Sequence, residues 1–90
     1  MAEREFRKHL KQLKSELEGA ERIDEETRQL LEELDGDIHE VLESLDEEQT
    51  ERRMQLKDRL NGAVLQLEES HPQLANTMRT VINTLSNMGI

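Results

Sequence analysis

The hydrophobic residues of this chain recur at alternating steps of three and four positions along four separate segments. This spacing places them on one face of an α-helix. The four stripes are Phe6, Leu10, Leu13 and Leu17; Leu31, Leu34, Ile38, Val41 and Leu45; Leu56, Leu60, Val64 and Leu67; and Leu74, Met78, Val81, Leu85 and Met88. The pattern predicts an all-α protein with helices at about 3–18, 24–45, 48–69 and 72–87.

Capping and helix-breaking residues separate the first stripe from the second and the third from the fourth. Gly19 is placed to end the first helix, because glycine accepts the positive φ found at many helix C-termini. Asp24 is placed as the N-cap of the second helix. Pro72 suits the first turn of the last helix, and Ser70 with Gln73 matches a capping box there. The first and last helices are therefore predicted to be separate elements.

The connection between the second and third stripes is ambiguous. Residues 46–53 contain no apolar side chain, but also no glycine or proline. The two stripes are nearly in phase across this stretch, so one alternative is a continuous helix over 24–69, about 69 Å long. The other is a turn near residues 46–50, with Ser44 or Asp46 starting a capping box. We favour the turn, because a chain of this length needs its apolar stripes to meet.

The last segment differs from the rest of the chain in charge. Ser70–Ile90 contains one formally charged side chain, Arg79, although 37% of all residues are charged. A helix with so little charge is normally covered by other protein, and a chain of 90 residues without cysteine has a modest core and no disulfides. We therefore predict a small helical bundle of three to four helices with coiled-coil-like Leu stripes, completed by a homodimer. The expected interface residues are Leu74, Met78, Val81, Ile82, Leu85 and Met88.

The acidic charge of the chain is concentrated in its middle. The net charge is −9 overall and −12 within residues 20–51. Nucleic acids and anionic membranes bind clustered Lys and Arg, and base stacking needs several aromatic rings, whereas Phe6 is the only aromatic residue here. Neither nucleic acid nor membrane is therefore an expected partner.

The first predicted helix carries a group of basic residues beside its apolar stripe. These residues are Arg4, Arg7, Lys8, Lys11 and Lys14. One interpretation is a small electrostatic docking site for an acidic partner. The other, which we favour, is a face that lies in solvent or beside the acidic middle segment of the same chain.

The expected domain organisation and location follow from length and composition. Residues 1–90 are predicted to form a single domain. The first ten residues are charged and resemble no signal peptide, and no segment approaches the ~18–20 apolar residues of a membrane span. The absence of cysteine fits a reducing compartment. A cytoplasmic protein is therefore expected.

Two groups of side chains have spacings that occur in metal sites. Glu68 and His71 lie three residues apart, as in di-iron four-helix bundles, and a dimer would supply a second pair. His39 lies four residues from both Asp35 and Glu43. The favoured alternatives are that His71 orients the junction before the following proline and that the His39 group is a solvated acidic face. No cofactor is therefore expected.

Two parts of the chain resemble one protein family. The run Glu68–Ile90 opens with Glu-x-x-His-Pro-x-Leu and ends with Leu-Ser-Asn-Met-Gly-Ile, and residues 31–38 read Leu-x-x-Leu-Asp-x-Asp-Ile. Over essentially its whole length the chain resembles the small bacterial proteins known as domain of unknown function 4404. The resemblance implies a helical, soluble, free-standing and non-catalytic protein, and it carries no catalytic or binding residues over to this chain.

The predicted function is a non-enzymatic structural or protein-interaction protein, an adaptor or small regulator acting as a homodimer. The sequence contains no recognisable phosphate-binding glycine loop, no Ser/His/Asp arrangement and no cysteine nucleophile, so an enzyme is not predicted. Met54, Met78 and Met88 suit core packing, which we favour. The alternative is a groove for a helical partner, since Met78 and Met88 lie on the uncharged last helix. The alternative function is a metal-binding helical bundle that uses Glu68 and His71.

Overall fold

Four α-helices make up most of the chain that the structure describes. The computed structural model describes residues 2–43 and 50–90, apart from the side chain of Ala2. The helices are α1 (Ala2–Glu18), α2 (Glu25–Glu43), α3 (Thr50–Leu67) and α4 (Pro72–Asn87). The prediction of an all-α protein with four helices is confirmed. The predicted capping boxes at Ser44 and Asp46 lie outside the described residues.

The chain reverses direction between α2 and α3, so the continuous helix over 24–69 is ruled out. Arg59 of α3 lies beside the middle of α2: its Nη1 is 3.1 Å from Oδ2 of Asp37 and 3.7 Å from Oε2 of Glu33. The largest dimension of the structure is 36 Å, whereas that helix would need about 69 Å. The chain folds back as expected, although the turn itself lies outside the described residues.

Each helix packs against two neighbours and runs antiparallel to both. α1 packs against α2 and α4, and α3 packs against the same two helices. Arg7, near the start of α1, donates a hydrogen bond of 3.1 Å to the backbone carbonyl of Leu42, near the end of α2. Lys57, near the start of α3, donates one of 2.8 Å to the backbone carbonyl of Ile90, just beyond the end of α4. The architecture is an up-down-up-down four-helix bundle.

The four predicted stripes meet in one continuous core. The buried apolar side chains are Phe6, Leu10, Leu13, Leu17, Leu31, Leu34, Ile38, Val41, Leu56, Leu60, Ala63, Val64, Leu67, Leu74, Ala75, Met78, Val81 and Leu85. Of the remaining stripe residues, Met88 is half-buried and Leu45 lies outside the described residues. Burying a large apolar side chain stabilises a fold by about 2 kcal/mol. The residues of a single chain therefore form one apolar core.

The residues predicted to cap the starts of α2 and α4 are confirmed in part. Oδ1 of Asp24 accepts a hydrogen bond of 2.8 Å from the N–H of Thr27, which confirms the N-cap of α2 and lowers the pKa of Asp24. Pro72 is the first residue of α4, as predicted. The capping box at Ser70 is wrong: His71, with φ −137° and ψ 67°, occupies the N-cap without a side-chain cap bond. The reason is that the residue before a proline is restricted to extended conformations, which places the helix start at that residue.

The positive φ expected at Gly19 occurs three residues later. Arg22, in the loop after α1, has a φ of 57°. Gly89, which follows α4, has a φ of 83°. Gly19 instead donates its N–H to the carbonyl of Ser15 at 3.1 Å, which continues the hydrogen bonding of α1 by one residue. Gly19 therefore follows α1 as predicted, but without the left-handed cap.

Arg53 of α3 is a buried cation in the described part of the bundle. Its Nη2 lies 2.9 Å and 3.2 Å from the two carboxylate oxygens of Glu3, and its guanidinium carbon lies 4.8 Å from the centre of the Phe6 ring. A buried charge needs an opposite charge, and an aromatic face adds further attraction. Arg53 therefore links α3 to α1 across the diagonal of the bundle.

Replacing Arg53 by alanine is expected to lower the free energy of unfolding by about 2 kcal/mol, because the packing of its stem, the ion pair and the ring contact are all lost. Urea unfolding followed by circular dichroism measures this change. Arg52→Ala is the matched control, since Arg52 is exposed, and its effect should stay within about 0.5 kcal/mol. Equal losses for both variants would contradict a special role for Arg53.

Two glycines within helices offer a second test of the packing. Gly36 in α2 and Gly62 in α3 are exposed, and an added Cβ would meet no atom within 4 Å at either position. Alanine is favoured over glycine inside a helix by about 1 kcal/mol, so Gly36→Ala and Gly62→Ala should each raise the free energy of unfolding by that amount. Gly89→Ala should give no gain, because a φ of 83° disfavours a Cβ. A loss at Gly36 or Gly62 in urea unfolding would contradict the open placement.

Candidate interaction surface

Part of the predicted basic face of α1 is engaged inside the chain. Nζ of Lys14 lies 3.1 Å from Oδ1 of Asp35 in α2, and Nη1 of Arg7 donates to the carbonyl of Leu42. These two contacts fix the relative height of the antiparallel helices α1 and α2. For these two residues, the interpretation that the basic face lies beside the acidic segment of the same chain is correct.

Three other basic residues of this face remain exposed. Arg4, Lys8 and Lys11 follow one another at steps of four and three, so they share the outer side of α1. None of their side chains forms a hydrogen bond or an ion pair with the residues that the structure describes. Together with Arg7 and Glu5 they line a shallow, open groove. We call Arg4, Lys8 and Lys11 the α1 basic stripe.

The outer side of α2 carries the opposite charge. Glu32 and Glu43 are exposed and lie eleven positions apart, about three whole turns, so they share one side of the helix. We call these two residues the α2 acidic stripe. Their carboxylates are solvated, which is the normal environment of a charged helix face.

The two stripes lie side by side. Leu42 of α2 bonds to Arg7 of α1, so Glu43, the next residue of α2, lies at the height of the first turns of α1, where Arg4 and Lys8 lie. Residues of the two stripes therefore lie at similar heights at this end of the neighbouring helices. They form one surface, positive along α1 and negative along α2, which we call the charged α1–α2 face.

Asp37 lies on the other side of α2, against α3. Burial raises the pKa of its carboxyl group, Arg59 at 3.1 Å opposes this shift, and the neighbouring Glu40 and Glu33 add to it. A carboxyl group whose pKa is higher in the folded protein than in the unfolded chain binds its proton more tightly when folded. Its contribution to stability is therefore gained as the pH falls through the raised pKa and is lost above it.

Asp37→Asn is consequently expected to raise the free energy of unfolding at neutral pH, where the wild-type carboxylate is charged. The gain should shrink as the pH falls through the raised pKa towards the ordinary value of about 4, because Asp37 then becomes protonated in the folded wild type as well. Urea unfolding of both proteins across this pH range provides the measurement. A gain that stays constant with pH would contradict the raised pKa.

The predicted metal ligands do not converge in this structure. Oε2 of Glu68 lies 2.9 Å from Nη2 of Arg79 and is engaged in that ion pair. His71 is half-buried at the start of α4. Nε2 of His39 is 4.0 Å from Oε1 of Glu43, and both side chains are exposed. Among the described residues no three His, Asp or Glu side chains come together as a metal site would require.

The residues predicted for a dimer interface are mostly occupied by the core of their own chain. Leu74, Met78, Val81 and Leu85 are buried, and Ile82 and Met88 are half-buried. They are covered because α4 packs against both α1 and α3. Apart from Pro72, the exposed residues of α4 are polar: Gln73, Asn76, Arg79, Thr80, Asn83, Ser86 and Asn87. The apolar side of α4 is thus covered by helices of the same chain, and the homodimer itself stays a prediction.

Sequence reasoning missed the buried role of Arg53 and the exposure of two apolar residues. Arg53 precedes Leu56 and Leu60 by three and seven positions, so the spacing of the third stripe already placed it on the core side. Met54 and Leu65 are 53% and 74% exposed on the outer side of α3. Core packing, the interpretation favoured for methionine, therefore does not hold for Met54.

The helices that the structure describes define a small all-α four-helix bundle. None of the described helices is long and apolar enough to span a membrane. The family model described as domain of unknown function (DUF4404) matches residues 6–90, and the chain belongs to this family. The resemblance seen in the sequence is thereby confirmed. Comparison with curated proteins and with solved structures gave no match.

Proposed function

We propose that this protein is a non-enzymatic interaction protein, an adaptor or small regulator, that binds partners through the charged α1–α2 face. The observation that carries this proposal is the α1 basic stripe. The chain has a net charge of −9, yet these three cations lie together in solvent without an acidic partner among the described residues.

The surroundings of the stripe favour binding over catalysis. The groove beside it is open to solvent, whereas catalytic groups act in enclosed sites from which water is largely excluded. Clustered exposed charges accelerate encounters with oppositely charged surfaces and select among partners. The expected partner of the stripe is an acidic protein surface, because the overall acidity of the chain disfavours nucleic acids and anionic membranes.

We include the predicted homodimer in this proposal, but with a contact surface other than the apolar side of α4. The apolar residues of α4 are engaged in the core of their own chain. A second copy would therefore have to bind elsewhere, and the charged α1–α2 face offers exposed charges of both signs for such a contact.

Charge reversal of the stripe tests the proposal. Lys8→Glu combined with Lys11→Glu should reduce the amount of each partner captured from a lysate of the native cell by about tenfold or more, because attraction becomes repulsion. Immobilised wild-type and variant proteins would be compared, with captured proteins identified and quantified by mass spectrometry.

The matched control combines Arg22→Glu with Arg52→Glu. Both residues are exposed, and this pair changes the net charge by the same amount as the stripe variant. Capture by the control should remain close to wild type. Capture that is equally strong with the stripe variant would refute the proposed binding face.

A further inference from the structure

The outer side of α3 carries the two large apolar side chains that are exposed among the described residues. Met54 is 53% exposed and Leu65 is 74% exposed. They lie eleven positions apart, about three whole turns, so they share one side of the helix and are separated by about 16 Å along its axis. Single exposed apolar residues are common on protein surfaces, but two on one side of one helix give a partner two points of contact.

Three further exposed residues lie on this side of α3. They are Asp58, Gly62 and Glu69, and with the two apolar residues they follow one another at steps of four, four, three and four. We call Met54, Asp58, Gly62, Leu65 and Glu69 the α3 outer stripe. Because α3 packs against α2 and α4 on its two flanks, none of the described helices covers this stripe.

The unpaired charges of the stripe are acidic. Neither the Asp58 nor the Glu69 carboxylate forms a hydrogen bond or an ion pair with the residues that the structure describes. Two cations beside the stripe, Arg59 and Arg79, are already paired with acidic residues of the chain. The net charge of −9 adds to the negative potential here. The stripe therefore attracts a surface that combines apolar residues with positive charge.

Gly62 leaves the middle of the stripe without a side chain. A Cβ added there would meet no atom within 4 Å, so the packing of the chain itself does not require a glycine. Glycine inside a helix is less favourable than alanine by about 1 kcal/mol. It allows the backbone of a second helix to approach closely. Gly62 therefore suits a partner helix that crosses α3 between the two apolar residues.

We propose that the α3 outer stripe binds an amphipathic helix with basic flanks from another protein. Apolar residues of the partner contact Met54 and Leu65, and its backbone crosses α3 at Gly62. Its Lys or Arg side chains pair with Asp58 and Glu69. An acidic helix is disfavoured, because these two carboxylates would repel it.

A second copy of the chain fits this surface poorly. Its α1 basic stripe offers cations, but the apolar residues of α1 are buried in the core of their own chain. They are therefore not available to contact Met54 and Leu65. Two chains that each have a net charge of −9 also repel one another.

The α3 outer stripe is separate from the charged α1–α2 face. α1 and α3 are diagonally opposite, since both pack against α2 and α4, and their outer sides face in opposite directions. Binding at α3 therefore does not depend on the proposed function of the α1 basic stripe. One chain can hold an acidic partner at α1 and a basic helix at α3.

A synthetic helical peptide tests the proposal. The probe is about 20 residues long, enough to span the stripe, and carries leucines at alternating steps of three and four with lysines beside them. The control peptide has glutamate in place of each lysine. Fluorescence anisotropy with labelled peptides should show binding of the lysine peptide, weakened by added salt, and binding of the glutamate peptide that is about tenfold weaker or less.

Charge reversal in the protein identifies the carboxylates that are used. Asp58→Lys with Glu69→Lys should weaken binding of the lysine peptide about tenfold or more, because attraction becomes repulsion. The matched control combines Glu18→Lys with Glu21→Lys. Both residues are exposed, and the net charge changes by the same amount, so binding by the control should exceed that of the α3 variant. Circular dichroism verifies that both variants are folded.

The two exposed helical glycines provide a second matched pair. Gly62→Gln places a side chain in the path of the partner backbone and should weaken binding about fivefold or more. Gly36→Gln adds the same side chain to an exposed position of α2 and should leave binding unchanged. Glutamine is a better helix former than glycine, so a loss of binding in Gly62→Gln would not result from unfolding.

Nuclear magnetic resonance of the isotope-labelled protein locates the bound peptide. Chemical-shift changes should be concentrated on the α3 outer stripe. Absence of binding, shift changes centred on another surface, or equal weakening by the α3 variant and its control would overturn the proposal. Shift changes on α3 that appear when the protein alone is concentrated would assign the stripe to a second copy and overturn it as well. Capture through Lys8 and Lys11 tests the proposed function separately from all of these results.

Discussion

Burial of four apolar stripes against one another is the constraint on which the structure depends. The chain has no cysteine and a single aromatic residue, Phe6, so the stability of the fold rests mainly on aliphatic side chains. Each stripe is too wide to be covered by one neighbour, and the antiparallel bundle gives every helix two. The reversal between α2 and α3 follows from this requirement, because a continuous helix would keep the second and third stripes from covering each other.

The same constraint explains the buried cation. Arg53 occupies a position that the helical spacing assigns to the core, and it is accommodated because Glu3 supplies the opposite charge and Phe6 an aromatic face. Arg53 and Phe6 lie on diagonally opposite helices, whose backbones do not pack directly. The long side chain of Arg53 therefore connects α1 and α3, whose backbones do not contact each other.

The properties of the surface depend on which side of each helix is buried in the core. Once the apolar side of α4 faces α1 and α3, its exposed side is mostly uncharged and polar. The strongest features left outside are the basic outer side of α1 and the acidic outer side of α2. They stay distinct because the two helices are adjacent and antiparallel, and because Lys14 and Asp35 already neutralise each other between them. A surface divided in this way favours recognition by charge over recognition by apolar contact.

The sequence by itself determined the helices, the N-cap at Asp24 and nearly all of the core, because helical spacing and capping are local properties of the chain. It also placed Arg4, Lys8 and Lys11 on one side of a helix. Only the tertiary structure decided that α2 and α3 fold back, that Leu74, Met78, Val81 and Leu85 are covered within the chain, and that Arg53 pairs with Glu3. These outcomes depend on which helices become neighbours, and a single stripe looks the same whether its cover comes from its own chain or from a second copy.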